Sequence, residues 1–259
     1  MGALLFGGRL STTMSTNNDW FTKDRSETAS NRMQDRSLSR ILVLNPALGV
    51  NIYRNAISRE ECDSHIKTLE SVLSTTGEYQ WQDAMVSTSE VADSYARNAK
   101  DFKISSNNLG PKTEKNAPLY QVHNNIFNIL RVCTGDYGSY WGVGLQSYEA
   151  FNFVKYDGPG TQFKVHADHG PTYVATTSAV IYLNDDYEGG ELLFPRFGLK
   201  LKPKAGDIVI FPSTYVYEHS SEELLSGVKY AVVVMMDYHD RDKVNQRVSQ
   251  VAHDYPLTY

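Results

Sequence analysis

His166 and Asp168 stand two apart in "FKVHADHG", residues 163–170, and His169 follows directly. In an extended chain, residues two apart point to the same side, so this imidazole and carboxylate converge on one face of a strand. Two donors do not hold a metal ion, and a third must come from another strand. "TYVYEHSSEE" supplies it in His219, which ends a strand-like run 51 residues past Asp168. Two imidazoles and one carboxylate on one side of an ion leave the opposite positions open. That donor set suits a non-haem Fe(II) centre, which needs vacant positions for a co-substrate and O2. Zinc accepts the same donors, so the ligands alone do not choose the metal. His169 reads as a loop histidine near the metal, because a fourth protein ligand would take a position that O2 chemistry needs.

Ten positions after His219, Lys229 opens the strand-like run "KYAVVVMM". Ala231, Val233 and Met235 share its face, so Lys229 directs an ammonium group into an otherwise apolar interior. A buried, unpaired ammonium is costly and implies an anionic partner, either an acidic side chain or the carboxylate of a ligand. Tyr182 in "AVIYLN" and Tyr156 in "VKYDGPG" add phenols on neighbouring strands that can hydrogen-bond the same anion. The competing reading, a sheet-edge lysine in solvent, stays open at this point.

These residues need a scaffold, and the hydrophobic period supplies one. From about Ser147 the period changes from 3.6 to 2, and seven or eight short strands follow, punctuated by Gly, Pro, Asn and Asp. Regularly spaced strands rich in β-branched and aromatic residues predict an antiparallel sandwich or jelly roll. Two helices precede it. Ser58 and Glu61 form a capping box, and Cys62, Ile66, Leu69 and Leu73 fall on one face of the helix they start. Pro118 stands near the start of the second, whose stripe runs Leu119, Val122, Ile126, Ile129 or Leu130, and Cys133. His65 and His123 sit in these helices without a second donor at ligand spacing. Ile41 to Leu44 reads as a first strand, and residues 74–116 as irregular chain with short strands. The expected fold is mostly β with flanking helices: a jelly-roll core over 147–238 within one domain, 41–259, with the helices packed on one face. Residues 1–40, polar with few apolar anchors, read as a flexible lead-in.

A net charge of -5 argues against a nucleic-acid surface built on bulk electrostatics. No run approaches the roughly 20 apolar residues of a membrane span. Two cysteines, Cys62 and Cys133, exclude a disulfide framework and suit a reducing compartment, so a cytoplasmic location is expected.

"YDGPGTQFKVHAD", "YLNDDYEGGELLFP", "LKPKAGDIVIFP" and "HSSEELLSGVKYAVVVMMDY" together resemble the catalytic core of the 2-oxoglutarate/Fe(II)-dependent dioxygenase superfamily, most of all its prolyl 4-hydroxylase-like branch. The resemblance spans residues 147–238 and implies a double-stranded β-helix. It implies that His166, Asp168 and His219 are the iron ligands, and that Lys229 pairs with the C5 carboxylate of 2-oxoglutarate. Tyr182 resembles the tyrosine that shares this carboxylate, and Tyr156 one lining the same pocket. Gly189 and Gly190 would serve the turn into the next strand, with Glu191, Phe194 and Pro195 structural. Phe163 departs from the tyrosine that many relatives carry three residues before the first ligand.

The implied reaction uses O2 and 2-oxoglutarate, yields succinate and CO2, and hydroxylates an unactivated C–H, with ascorbate as a family-level reductant. By the same analogy the substrate is a prolyl residue of a peptide or protein. Another protein side chain, a free amino acid or a small metabolite remains open, and a nucleobase is disfavoured by the charge. Residues 74–116 and 169–173 are the candidate substrate loops, and Tyr79, Trp81, Tyr95, Arg97 and Trp141 the candidate groove. Two rival readings stand beside this one: a non-catalytic metal-binding jelly roll, and a zinc or manganese cupin-like isomerase or hydrolase. The second gives Lys229 no particular partner.

Overall fold

The computed structural model describes residues 39–43, 47–75, 77–85, 95–170 and 174–238. Strands β1 (Ser39–Val43) and β2 (Val50–Arg54) precede helix α1 (Arg59–Thr75). Then come β3 (Gln82–Asp83), β4 (Arg97–Asn98), β5 (Lys100–Ile104), the short α2 (Ser106–Leu109) and the long α3 (Ala117–Trp141). The strands that follow are β6 (Ser147–Tyr148), β7 (Phe151–Asp157), β8 (Gln162–His166), β9 (Thr177–Tyr182), β10 (Glu188–Gly189) and β11 (Leu192–Phe194). The chain continues through β12 (Leu199–Leu201), β13 (Ile208–Pro212), β14 (His219–Ser221), β15 (Leu224–Ser226) and β16 (Val228–Asp237). Four of these pieces, β6, β10, β12 and β15, exceed the expected seven or eight strands. Each is two or three residues long, too short to show a period in the sequence.

All described pairings are antiparallel. The major sheet runs β1-β2-β13-β9-β16-β7-β5-β3, with β6 added beside β16, and the minor sheet runs β12-β11-β14-β8-β4. The two face each other over a core in which Val180, Tyr182, Val209 and Phe211 of the major sheet meet Leu192, Phe194, Leu199 and Leu201 of the minor one. The opposite face of the major sheet is covered by the helices. Ile181, Ile208, Ile210, Val232 and Val234 pack there with Leu69 and Leu73 of α1 and Leu119, Ile126 and Leu130 of α3. Period-two alternation explains both cores, since one strand feeds each layer with every second residue. This is the expected jelly roll with helices on one face.

The capping box is present: Ser58 N–H and hydroxyl both donate to Glu61 Oε2, and the Glu61 N–H donates back to Ser58 Oγ. Helix α3 runs two turns past Cys133, carried by Tyr137 and Trp141 at four-residue spacing, and ends at Gly142 with φ 73°. Strand β1 begins at Ser39, inside the segment read as a lead-in through residue 40; residues 1–38 and Leu44 lie outside the described residues. Cys62 and Cys133 are buried free thiols. Among the described residues, no helix is long and apolar enough to cross a membrane.

Candidate active site

His166 ends β8, His219 opens β14, and the two residues are direct partners across this antiparallel pair. One ligand atom from each of His166, Asp168 and His219 lies within 4.8 Å of the others. Nε2 of His166 is 3.4 Å from Asp168 Oδ1, and Nε2 of His219 is 3.8 Å from Asp168 Oδ2. Both rings are oriented by the same local device. Nδ1 of His166 faces the Lys164 carbonyl at 2.8 Å, and Nδ1 of His219 faces the Tyr217 carbonyl at 3.1 Å. A carbonyl accepts only, so each Nδ1 carries the N–H and each Nε2 turns its lone pair toward the cluster.

Electrostatics complete the donor set. Burial alone would push the Asp168 carboxyl up; the His219 and His166 imidazoles and the Ser178 hydroxyl outweigh it and hold the group well below the usual carboxylate range. Burial also pushes His219 down to about 4, against the pull of Asp168. At neutral pH the aspartate is ionised and His219 neutral, the state in which each donates to a metal. Ser178 Oγ lies 2.6 Å from Asp168 Oδ2 and 2.7 Å from Ser213 Oγ, with Met235 Sδ at 3.3 Å. The single Ser178 proton goes to the carboxylate, the strongest acceptor of the three. Phe163 stacks on His166 with ring centroids 3.6 Å apart, and the Arg97 guanidinium lies 4.7 Å from the centre of the Phe163 ring.

Lys229 is 2% exposed, which removes the solvent-edge reading. Its Nζ donates to the Gly190 carbonyl at 2.7 Å and to Ser221 Oγ at 2.8 Å. The rings of Tyr156, Tyr182 and Tyr187 surround it, their centroids 4.9, 5.4 and 5.8 Å away. Burial, aided by Lys202 and opposed only by Glu191, brings the ammonium down to about 7. Tyr156 is its direct cross-strand partner. Burial raises both the Tyr156 and the Tyr182 phenols, so each stays protonated and able to donate.

The space between the sheets is a cavity of about 830 Å³, and its wall holds His166, Asp168, His219, Lys229, Tyr156 and Tyr182 together. Ala231, Val233 and Met235 share that wall, as alternation along β16 requires. His169 is not on it: its Nδ1 faces the Ala175 carbonyl at 2.9 Å, and its N–H donates to the Ser213 carbonyl. Of the candidate groove residues, Tyr79 and Arg97 line the cavity. The other three do not. Trp81 packs between Phe102 and Tyr230, Tyr95 is 79% exposed, and Trp141 donates to Asn51 Oδ1 from the end of α3. Within loop 169–173, residues 171–173 lie outside the described residues.

Sequence reasoning missed Ser178, Ser221 and the Gly190 carbonyl. Ser221 has a faint signal, standing two residues past His219 on a strand and so on the same face. Ser178 is the polar residue inside the buried run of β9. Gly189 and Gly190 have φ values of 73° and 62°, and a Cβ on Gly189 would meet the Glu223 carbonyl oxygen at 2.2 Å. The turn therefore needs glycine there and leaves the Gly190 carbonyl aimed at Lys229.

Residues 151–236 match the sequence model of the 2OG-Fe(II) oxygenase superfamily. A stretch of 62 residues is 36% identical to prolyl 3-hydroxylase 2 of Homo sapiens, covering 22% of this chain and 9% of that protein. Another of 51 residues is 47% identical to a PKHD-type hydroxylase of Prochlorococcus marinus (strain AS9601), covering 19% of this chain and 22% of that one. The chain thus matches less than a quarter of the length of either curated relative. Among solved structures, a prolyl hydroxylase from Trichoplax adhaerens, in complex with a hypoxia inducible factor peptide fragment, superposes with a TM-score of 0.58. That match covers 73% of this chain and 83% of the other at 16% identity, a likeness of fold. The matched segment, the jelly roll and the His-Asp-His cluster between its sheets agree: residues 151–236 are similar to the core of the 2OG-Fe(II) oxygenase superfamily.

Proposed function

We propose that this chain is an Fe(II)- and 2-oxoglutarate-dependent dioxygenase that hydroxylates a prolyl residue of a peptide or protein, with succinate and CO2 as co-products. The observation that carries this reading is Lys229, a buried cation that has no carboxylate partner among the described residues and stands on the same cavity wall as the His-Asp-His cluster. A structural metal site would need no such cation, whereas a co-substrate with a second carboxylate does.

Nε2 of His166, Nε2 of His219 and the Asp168 carboxylate form the metal-binding set in this reading. Their donor types and protonation states fit Fe(II). Bound there, Fe(II) supplies the oxidative decarboxylation of 2-oxoglutarate by O2 that drives C–H hydroxylation. The chain's own part is positioning. Lys229 meets the distal carboxylate of 2-oxoglutarate with the N–H that Gly190 and Ser221 leave free, and the Tyr182 and Tyr156 phenols donate to the same anion. Ala231, Val233 and Leu192 on the wall keep water from the reacting centre. Ser178 holds the Asp168 carboxylate in place, and Phe163 the His166 ring. The prolyl hydroxylase relatives and the peptide-bound fold neighbour support a peptide substrate, reaching the metal from the Tyr79 and Arg97 side. Ascorbate, as reductant of the iron, belongs to the same reading.

Adding 2-oxoglutarate anaerobically to the Fe(II) protein is expected to produce a visible metal-to-ligand charge-transfer band, absent in Lys229→Ala and His219→Ala. A protein that binds Zn(II) but never 2-oxoglutarate would refute the proposal. A peptide array with mass readout, comparing proline-rich with lysine- and asparagine-containing peptides, tests the substrate; hydroxylation confined to non-prolyl peptides would reassign it.

A further inference from the structure

We propose that Lys202 is a second cation of the co-substrate pocket: its ammonium repels that of Lys229, and the distal carboxylate of 2-oxoglutarate is captured more tightly because it relieves this repulsion. The inference rests on the function proposed above. Lys202 follows β12, and its Nζ donates to the Gly189 carbonyl at 2.6 Å and to the Tyr187 carbonyl at 3.2 Å. Lys229 takes the next carbonyl of the same turn, that of Gly190, at 2.7 Å. Both ammonium groups lie over one ring, the Tyr187 centroid being 4.7 Å from Lys202 Nζ and 5.8 Å from Lys229 Nζ. Turn, ring and lysine are in close contact, since a Cβ on Gly190 would meet Tyr187 Cε2 at 3.2 Å and Lys229 Cδ at 3.3 Å. Among the described residues neither lysine forms an ion pair. Burial pushes the Tyr187 phenol up, so the shared ring is neutral; it attracts each cation and cancels neither.

Lys202 is not on the cavity wall, so it acts through Lys229, as a positioning residue. Facing Lys229 are the titratable groups of Tyr156 from β7, Tyr182 from β9, Tyr187 ahead of β10, Glu191 ahead of β11 and Lys202 after β12. Lys202 adds to burial in drawing Lys229 down to about 7, and Glu191 opposes both. A carboxylate set against the Lys229 ammonium makes a neutral pair, which to first order neither attracts nor repels Lys202. Below pH 7 the free protein carries both charges, so binding releases their repulsion and Lys202 strengthens it. Well above pH 7 the free Lys229 is neutral, no repulsion is present to release, and Lys202 adds nothing. A simple staple for the Gly189-Gly190 turn would instead act alike at every pH.

Calorimetric titration of the Mn(II)-loaded full chain with 2-oxoglutarate, from pH 6 to 9, separates the two roles. Lys202→Gln keeps a donor for the turn carbonyls and deletes the charge, whereas Lys202→Arg keeps the charge. At pH 6, Lys202→Gln should bind 2-oxoglutarate about threefold more weakly than the wild type, and at pH 9 equally well. The pH at which affinity starts to fall should rise by about half a unit in this variant, the same threefold read on the proton. Lys202→Arg should follow the wild type throughout. A loss by one factor at every pH, with that break unmoved, would make Lys202 a staple of the turn and overturn the proposal. Wild-type affinities in Lys202→Gln across the range would overturn it too. A second measurement needs no co-substrate. The melting temperature of the ligand-free protein gains from pH once folded Lys229 sheds its proton, and Lys202→Gln should move that onset upward by about half a unit. In a Lys229→Met background the same substitution should leave the shape of the profile unchanged. An onset that stays in place refutes the repulsion. A wild type that binds no 2-oxoglutarate overturns the proposed function, and the role of Lys202 in capture with it, whatever the melting profile shows.

Discussion

Lys229 Nζ donates to Ser221 Oγ across the cavity between the two sheets, and among the described residues it forms no ion pair. The major sheet supplies the cation and the minor sheet the hydroxyl that steadies it, so the pocket exists only when both sheets are packed. Lys229→Met is expected to abolish 2-oxoglutarate binding while raising the melting temperature of the ligand-free protein below pH 7, because a buried charge without a counter-charge is removed. Ser221→Val should weaken 2-oxoglutarate binding about tenfold, the loss of about one hydrogen bond to a charged group, and leave metal affinity intact. Calorimetric titration with 2-oxoglutarate and with Mn(II) separates the two effects.

A pH dependence follows from the same lysine. Folded and ligand-free, Lys229 loses its proton near pH 7, whereas in the unfolded chain it keeps it to about 10.5. Between these limits the unfolded state holds more protons, so the stability of the ligand-free protein rises with pH, by up to about 1.4 kcal/mol per unit from this group. Below pH 7 both states are charged and the contribution is flat. 2-Oxoglutarate selects the protonated form, so its affinity should fall about tenfold per unit above pH 7. Thermal shifts at fixed 2-oxoglutarate across pH 6 to 9 report this. A Lys229→Arg variant, charged throughout that range, should lose the slope.

Ser178 gives a prediction at the other end of the cavity. Ser178→Ala deletes the hydroxyl that donates to Asp168 Oδ2 and leaves all three proposed metal donors in place. Metal affinity is expected to fall about 10- to 100-fold, the usual scale for a partner that orients a ligand. Ser178→Thr, which keeps the hydroxyl, should restore most of it. An unchanged Mn(II) affinity in Ser178→Ala would show that Asp168 is held by its two histidines alone.

Gly206 tests the scaffold. Its φ is +83°, and a Cβ there would lie 1.8 Å from the Ile57 carbonyl oxygen. Its own carbonyl accepts from Ile57 N–H, and its N–H donates to the Tyr182 carbonyl. Gly206→Ala therefore strains the backbone at a fixed crossing and is expected to cost more than about 3 kcal/mol in urea unfolding. Because the crossing holds the end of β9, the surviving folded fraction should also bind 2-oxoglutarate less tightly.

The convergence of His166, Asp168 and His219 was readable because the spacing of the first two is local and the third ends a strand-like run. H-x-D on a strand places two donors on one face, and His219 closes a run of the same period. Lys229 was readable because alternation along β16 put a cation among alkyl side chains. Ser178 and Ser221 were not, because their roles depend on which strands lie side by side. That is decided by the packing of segments far apart in sequence, such as β9 against β16. Trp141, named as a candidate groove residue, ends α3, which passes through Gly135 and Gly138, and it is not on the cavity wall. A Cβ at Gly138 would meet the Val143 carbonyl at 2.4 Å, so glycine there lets the chain fold back tightly after the helix.

The pairing of His166 with His219 makes the metal site a gauge of strand alignment. Sliding β14 by a single residue along β8 would send the His219 imidazole to the outer face of the minor sheet and bring Ser220 inward. Only the native alignment puts both imidazoles beside Asp168. An ion that needs all three donors, as the proposed function requires, would therefore favour correctly zippered molecules over slipped ones, and its capture would proofread the folding of the sheet that houses it.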